Sequence, residues 1–79
     1  MRIDKYLKVS RLIKRRTVAN EACDAGRVSV NGKAVKASYD VKEGDVIEIA
    51  FGTRTVRAKV LSLLESTKKD DAKDMYELL

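Results

Sequence analysis

The chain has 79 residues, of which 44% are hydrophobic and 37% charged, with a net charge of +5 and no histidine. This length accommodates one domain with a small core and excludes a second domain. A single cysteine, Cys23, excludes an internal disulfide, and neither a membrane span of ~20 apolar residues nor a secretory signal is visible, so we expect a soluble, cytoplasmic protein.

The N-terminal segment predicts a short first helix. It runs from about Asp4 to Val9, and Asp4 is expected to cap it through its side-chain oxygen. Ile3 and Leu7 are spaced to share its buried face. A turn over residues 10–16 is expected to follow.

A second helix is predicted after this turn. Thr17 is expected to be its N-cap residue, and the helix runs to Ala25. Gly26 then ends it in the left-handed conformation that favours glycine. The apolar positions of this helix are Val18, Ala19, Ala22 and Cys23.

The middle of the chain predicts a small, mostly antiparallel sheet. Two alternating segments between Val28 and Val35 enclose Asn31-Gly32, the dipeptide most typical of a two-residue hairpin. A turn at residues 43–45 opens a strand over 46–51, and a reversal at Gly52 leads to a strand over 55–63.

The last residues change to helical spacing. From Ser66 onward, acidic residues precede apolar ones spaced as on a helix, which predicts a short C-terminal helix whose apolar positions are Ala72, Met75, Tyr76 and Leu79. The fold class is therefore α+β, with two short helices packed on a small sheet plus this terminal helix. We divide the chain into a first module over 1–50, a strand extension of its sheet over 51–65 and a helical tail over 66–79, with 65–69 as a polar linker.

Positive charge is concentrated in the N-terminal half. Residues 1–36 carry ten Lys or Arg and three acids, whereas residues 37–79 carry seven Lys or Arg and nine acids. A surface that only keeps a protein soluble mixes the two signs, whereas a nucleic-acid site collects cations on one face. This distribution favours a nucleic-acid partner.

The basic run Lys14-Arg15-Arg16 leads into the start of the second helix. A helix start has unpaired amide groups and the positive end of the helix dipole, so cations there repel unless an anion lies between them. An RNA phosphate would accept hydrogen bonds from both the amides and the arginines. The candidate RNA-binding residues are Arg2, Lys5, Arg11, Lys14, Arg15, Arg16, Arg27 and Lys33, whereas simple solvated surface is the favoured interpretation for Lys8, Lys36 and Lys42.

Catalysis and metal binding find no support in the sequence. There is no histidine, no glycine-rich phosphate loop and no nucleophile paired with a base. One cysteine and scattered carboxylates make a poor metal site, and no cofactor is expected. We therefore predict a binding protein and not an enzyme.

Several motifs resemble the S4 RNA-binding domain. They cover residues 1 to about 50 and have the order and spacing found in that family. The motifs are Arg2-Ile3-Asp4-Lys5-Tyr6-Leu7, Lys14-Arg15-Arg16-Thr17-Val18-Ala19, Ala25-Gly26-Arg27-Val28, Val30-Asn31-Gly32-Lys33 and Val41-Lys42-Glu43-Gly44-Asp45-Val46-Ile47. Two positions depart from the family pattern: Arg15 stands where many S4 motifs have serine, and Ala37 where proline is frequent.

The match extends beyond these motifs through Thr53-Arg54-Thr55-Val56-Arg57-Ala58-Lys59-Val60, and the whole layout resembles short S4 proteins typified by the heat-shock S4 protein of large ribosomal subunits. Three further runs resemble the RqcP family of bacterial ribosome-associated quality control more closely, and they are Lys8-Val9-Ser10-Arg11-Leu12-Ile13-Lys14-Arg15-Arg16-Thr17, Thr67-Lys68-Lys69 and Met75-Tyr76. The latter resemblance implies binding to large subunits obstructed by peptidyl-tRNA, with contacts to 23S rRNA and the tRNA. It further implies support of the partner factor RqcH in adding a C-terminal alanine tail, and it makes Arg2 and Arg16 the principal rRNA contacts. We expect a monomer that is associated with ribosomes and not with membranes.

Two other functions stay open from the sequence. The first is a factor that salvages blocked large subunits without tailing. The second is a protein-interaction adaptor, in which the apolar positions of the C-terminal helix dock on a partner and the basic half only keeps the protein soluble. Packing of those apolar positions on the protein's own sheet is the alternative to docking.

Overall fold

The structure, a computed structural model, describes residues 1–63 and 75–79. The elements in chain order are α1 (Ile3–Val9), α2 (Arg16–Asp24), β1 (Val28–Val30), β2 (Lys33–Ala34), β3 (Val46–Phe51), β4 (Arg54–Val60) and β5 (Tyr76–Leu78). All strand pairs are antiparallel, and the sheet order is β2-β1-β3-β4-β5. The predicted α+β class, with two helices on a small antiparallel sheet, is confirmed.

The core lies between the two helices and one face of the sheet. Alternation along the strands buries every second residue, as in Val28 and Val30 of β1 and Ile47 and Ile49 of β3. The register places Val30 opposite Ile47 and Val28 opposite Ile49, so the four side chains form one apolar patch. Helix α1 covers this core with its buried apolar side chains Ile3, Tyr6 and Leu7.

The predicted hairpin turn is confirmed at Asn31 and Gly32. Both residues have positive φ, +52° and +86°, which is the requirement of a type I′ turn. The Asn31 side-chain oxygen also accepts a hydrogen bond from the Val46 amide at 3.0 Å. The turn thus fixes the β1–β2 register and ties the hairpin to β3.

Helix α2 ends at Asp24, one residue before the predicted end, and Gly26 adopts the predicted left-handed conformation with a φ of +76°. The Gly26 amide bonds to the Cys23 carbonyl at 3.0 Å and the Arg27 amide to the Ala22 carbonyl at 2.9 Å, the paired bonds of a Schellman motif. Cys23 is a core residue, and burial raises the pKa of its thiol to about 11. Val18, predicted as an apolar contact of this helix, is instead 45% exposed.

Both predicted helix caps are wrong. Helix α1 begins at Ile3 with Arg2 in the cap position, and Asp4 lies inside the first turn, where it is buried. Helix α2 begins at Arg16 after an extended Arg15, so Thr17 is already helical. Neither cap residue bonds the helix with its side chain. The Asp4 side chain is held instead by Arg2 and the Lys5 amide nearby and by Arg16 and Asn20 of α2.

The C-terminal helix prediction is wrong for Tyr76–Leu78, which form β5 beside β4. Met75, just before β5, is 2% exposed, and the Tyr6 hydroxyl donates a hydrogen bond of 2.5 Å to its carbonyl oxygen. This contact joins α1 to the last strand. The predicted linker over 65–69 and the predicted helix before residue 75 lie outside the described residues.

The division of the chain at residues 50 and 65 stays a prediction. Residues on both sides of position 50 belong to one sheet, because β3 pairs with β4. The pairing runs from Val46 opposite Lys59 to Phe51 opposite Arg54. In the described part of the chain, no helix has the length and apolar character needed to cross a membrane.

Candidate RNA-binding site

The carboxylate of Asp4 joins two of the predicted RNA-binding arginines. The Nε and Nη2 groups of Arg2 donate to its two oxygens, each at 3.2 Å, and Nη2 of Arg16 donates to Oδ1 at 3.4 Å. The Asn20 amide donates to Oδ2 at 3.3 Å, and the Lys5 backbone amide to Oδ1 at 2.8 Å. We call Arg2, Asp4, Arg16 and Asn20 the Asp4 cluster.

The packing of α1 against α2 creates this cluster. Asp4 lies in the first turn of α1, and Arg16 is the first residue of α2. Asn20 follows Arg16 by four residues, the spacing that places two side chains on the same face of a helix. One carboxylate from α1 therefore meets two donors from α2, and it cross-links the two helices at their N-terminal ends.

The cluster retains positive charge at the surface. The Asp4 side chain is 3% exposed, whereas those of Arg2 and Arg16 are 51% and 48% exposed. Because one carboxylate faces two guanidinium groups, one positive charge is left uncompensated within the cluster. Both arginines remain half-accessible to an anion from outside.

Asp4 stays ionised although it is buried. Burial alone would raise the pKa of this carboxyl, but the hydrogen bonds from Asn20, Arg16 and the Lys5 amide, together with the Arg16 charge, outweigh burial and hold the pKa below its ordinary value. The fixed negative charge is therefore present throughout the neutral range.

The lowered pKa of Asp4 predicts a pH dependence of stability. A carboxyl whose pKa is lower in the folded state stabilises the fold above its unfolded pKa of about 4, and this stabilisation disappears as pH falls through the folded-state pKa. We expect the difference in unfolding free energy between wild type and Asp4→Asn to shrink below about pH 4. Urea denaturation from pH 3 to 7 measures this difference, and a value constant over that range would contradict it.

The start of α2 adds further donors beside the cluster. Lys14, Arg15 and Arg16 are all exposed there. The first helical bond runs from the Ala19 amide to the Arg15 carbonyl, so the amides of residues 16–18 have no acceptor within the helix. Free amides, a helix dipole and three cations make this corner suitable for an anion.

The other predicted RNA-binding residues are more dispersed. Arg16 begins α2, a helix of nine residues and so about 13 Å long, whereas Arg27 lies three residues beyond its other end. Lys33 is exposed on the β1–β2 hairpin. Arg11 is exposed in the connection between the helices and has a φ of +65°, an uncommon conformation for arginine. The structure thus joins Arg2 and Arg16 through Asp4 and places Lys5 next to Asp4. Arg27 and Lys33 are outside the Asp4 cluster.

Sequence reasoning missed two members of the cluster. Asp4 was assigned to a helix cap, and Asn20 was not considered. The four-residue spacing of Arg16 and Asn20 on the second helix was the available signal, but it does not reveal that Asp4 is their partner. In the described part of the chain, no group of three or more side chains suited to a metal ion is present.

A small antiparallel sheet carrying two helices with an exposed basic corner defines a small RNA-binding module. The family model of the S4 domain matches residues 1–47. Over all 79 residues, the chain is 57% identical to the RQC P-site tRNA stabilizing factor of Streptococcus pneumoniae, of which it covers 90%, and 54% identical to that of Bacillus subtilis, of which it covers 92%. The chain belongs to the S4 domain family and, within it, to the family of RQC P-site tRNA stabilizing factors.

The fold has a close structural counterpart. The trimeric structure of heat shock protein 15 from Vibrio cholerae superposes with a TM-score of 0.90 at 25% sequence identity, and the match covers 100% of this chain and 81% of that one. The similarity to the sequence relatives and to this solved structure confirms the predicted resemblance to short S4 proteins.

Proposed function

We propose that the protein acts in ribosome-associated quality control by binding large ribosomal subunits that are obstructed by peptidyl-tRNA. In this proposal it contacts 23S rRNA and the tRNA and supports alanine tailing by RqcH, as a cytoplasmic, ribosome-associated monomer without catalytic activity. The full-length similarity to RQC P-site tRNA stabilizing factors supports the role. The observation that carries it is the pair of half-exposed arginines held by Asp4 beside the start of α2.

The mechanism is electrostatic docking of a preformed surface. Arginine presents planar, forked donors that match phosphate oxygens, and the free amides at the start of α2 can bind the same phosphate group. Folded RNA offers closely spaced phosphates and a wide minor groove, so shape is read more than sequence. The protein would recognise a particular fold of rRNA and tRNA without reading base edges.

We assign the eight predicted residues different weights. Arg2 and Arg16 are the principal rRNA contacts, and the adjacent Lys5, Lys14 and Arg15 extend the same surface. The remaining three would contact RNA only where it wraps further around the domain, and they are Arg11, Arg27 and Lys33.

The adaptor alternative has lost its main support. It required an apolar helical stripe free for a partner, but Met75 is buried in the core and Tyr76 pairs with Val60 in the sheet. The salvage alternative stays open, because it uses the same RNA-binding surface.

Sedimentation with separated ribosomal particles tests the proposed function. We expect enrichment on large subunits that carry peptidyl-tRNA over empty large subunits and over small subunits. Alanine tailing in a reconstituted reaction with RqcH then separates the proposed role from salvage, since only the former predicts longer tails when the protein is added. Equal binding to empty and obstructed subunits would contradict the proposal.

Removal of one charge tests the site itself. We expect Arg16→Gln to weaken binding to obstructed large subunits and to reduce the slope of log affinity against log salt by about one unit, because one phosphate contact is lost. Glutamine removes the charge but keeps a polar side chain of similar shape up to the position of Nε, and the Asn20 side chain and the Lys5 backbone amide still donate to Asp4. Circular dichroism verifies that the variant is folded. Unchanged binding across several salt concentrations would exclude Arg16 from the interface.

A further inference from the structure

The Asp4 carboxylate is in an unexpected place for a protein that binds a polyanion. It is almost fully buried, and it lies directly beneath two arginines whose exposed halves are offered to RNA. A negative charge here lowers the positive potential of the surface and so opposes the attraction of phosphates. Stability alone does not require it, because a well-packed apolar side chain often serves a protein interior as well as a buried ion pair does.

The contacts indicate what the carboxylate achieves. Arg2 uses Nε and Nη2 on Asp4, so its guanidinium plane is fixed by two bonds and Nη1 remains available. Arg16 uses only Nη2, so its Nε and Nη1 remain available. Because both groups share one anchor, their relative position is set by the packing of α1 against α2.

We propose that Asp4 is a specificity-determining residue of the RNA-binding surface: it positions the guanidinium groups of Arg2 and Arg16 for one arrangement of phosphates and reduces the affinity of the surface for RNA in general. This inference rests on the proposed function and adds to it a means of discrimination. A specific partner benefits from arginines held in place, since less side-chain freedom is lost on binding. RNA of any other shape meets the same surface with its charge partly cancelled.

Discrimination is the difference between the binding free energies for the specific RNA and for other RNA, so tighter binding of the first and weaker binding of the second both increase it. Orientation strengthens binding to the obstructed large subunit, and partial neutralisation weakens binding to unstructured RNA. A protein that must find few obstructed ribosomes among abundant cellular RNA gains from both. Neutralising the Asp4 carboxylate should therefore lower the affinity for obstructed large subunits and raise the affinity for unstructured RNA.

Asp4→Asn tests this prediction with two RNA ligands, large subunits carrying peptidyl-tRNA and a single-stranded polyuridylate. We expect affinity for the subunits to fall about tenfold, because the arginines lose their fixed orientation. We expect affinity for polyuridylate to rise roughly two- to fivefold, because a negative charge near the phosphates is removed. Asp24→Asn, at the exposed end of α2, changes net charge equally and is the matched control; both its affinities should change by less than about twofold.

Arg2→Lys is a second test that does not remove a buried group. Lysine keeps the charge but cannot form the two-pronged contact with Asp4. We expect subunit affinity to fall about tenfold while polyuridylate affinity stays within about twofold. Thermal denaturation followed by circular dichroism verifies that each variant is folded. If Asp4→Asn is not folded, Asp4→Glu replaces it: the negative charge is kept but the carboxylate is displaced by one methylene group, so affinity for the subunits should fall about tenfold while affinity for polyuridylate stays within about twofold.

The ratio of the two affinities is the deciding quantity. The wild type is expected to prefer obstructed subunits over polyuridylate. If the variants retain the wild-type ratio of affinities, so that both affinities change in parallel, Asp4 does not determine specificity. That result overturns the inference and leaves the proposed function intact. If the wild type shows no preference for subunits over polyuridylate, both the proposed function and the inference are wrong.

Discussion

Met75→Ala lowers the free energy of unfolding by about 2–5 kcal/mol, the range observed for truncating a buried methionine to alanine. The Met75 side chain is 2% exposed and belongs to the same core cluster as Tyr6 and Ile47. Its backbone carbonyl also accepts hydrogen bonds from the Tyr6 hydroxyl and the Leu61 amide. A loss of this size is a large fraction of the stability of so small a domain.

Urea denaturation followed by circular dichroism measures the effect of Met75→Ala. Leu79→Ala is the matched control, because Leu79 is 60% exposed and its truncation should change stability by less than about 0.5 kcal/mol. Equal stability of Met75→Ala and wild type would mean that the C-terminal residues do not pack on the sheet, and it would restore the hypothesis of a docking segment.

The double variant Arg2→Gln with Arg16→Gln reduces affinity for obstructed large subunits roughly 100-fold, since two charge-assisted contacts to phosphates are lost. The slope of log affinity against log salt falls by about two units. Glutamine was chosen because it is uncharged and, at position 2, places its amide nitrogen where Nε of Arg2 donates to Asp4. The Asn20 side chain and the Lys5 backbone amide remain as further donors, so the buried carboxylate keeps hydrogen-bond partners.

A second double variant controls for net charge. Arg54→Gln with Lys59→Gln removes two exposed cations from β4, away from the Asp4 cluster. Filter binding or sedimentation at several salt concentrations should give it a loss of less than about fivefold. Similar losses for the two double variants would show that binding depends on total charge and not on this site.

Elements set by local chemistry were predictable from the sequence. Asn31 and Gly32 adopt positive φ because the hairpin turn requires it, and Gly26 does so at the end of α2. Strand β3 runs over Val46–Phe51, as predicted, since alternation and the turns at both ends define it without reference to the rest of the chain. In each case the signal lies within a few neighbouring residues.

Features that depend on distant partners were not predictable. Asp4 has the side chain of a typical helix cap, and only its contact with Arg16, twelve residues away, reveals a different role. The apolar spacing of Met75 and Tyr76 suits a helix, but the free edge of β4 makes a strand at Tyr76–Leu78 the structure that forms. Lys14, Arg15 and Arg16 are exposed, as a surface role requires, but the binding of RNA by the predicted cations stays a prediction. The sequence did not reveal the Asp4 carboxylate that joins Arg2 and Arg16.

The hydrogen bond between Tyr6 and Met75 joins residues that are far apart in the sequence, and this separation limits when the bond can form during folding. In helix α1, Asp4 and Lys5 lie two residues and one residue before Tyr6, and the Tyr6 hydroxyl donates to the carbonyl oxygen of Met75. Contacts between such remote positions form late, after the loop between them has closed. During its own synthesis, therefore, the nascent protein can hold the helix that carries Asp4 in this way only once Met75 has emerged from the ribosome.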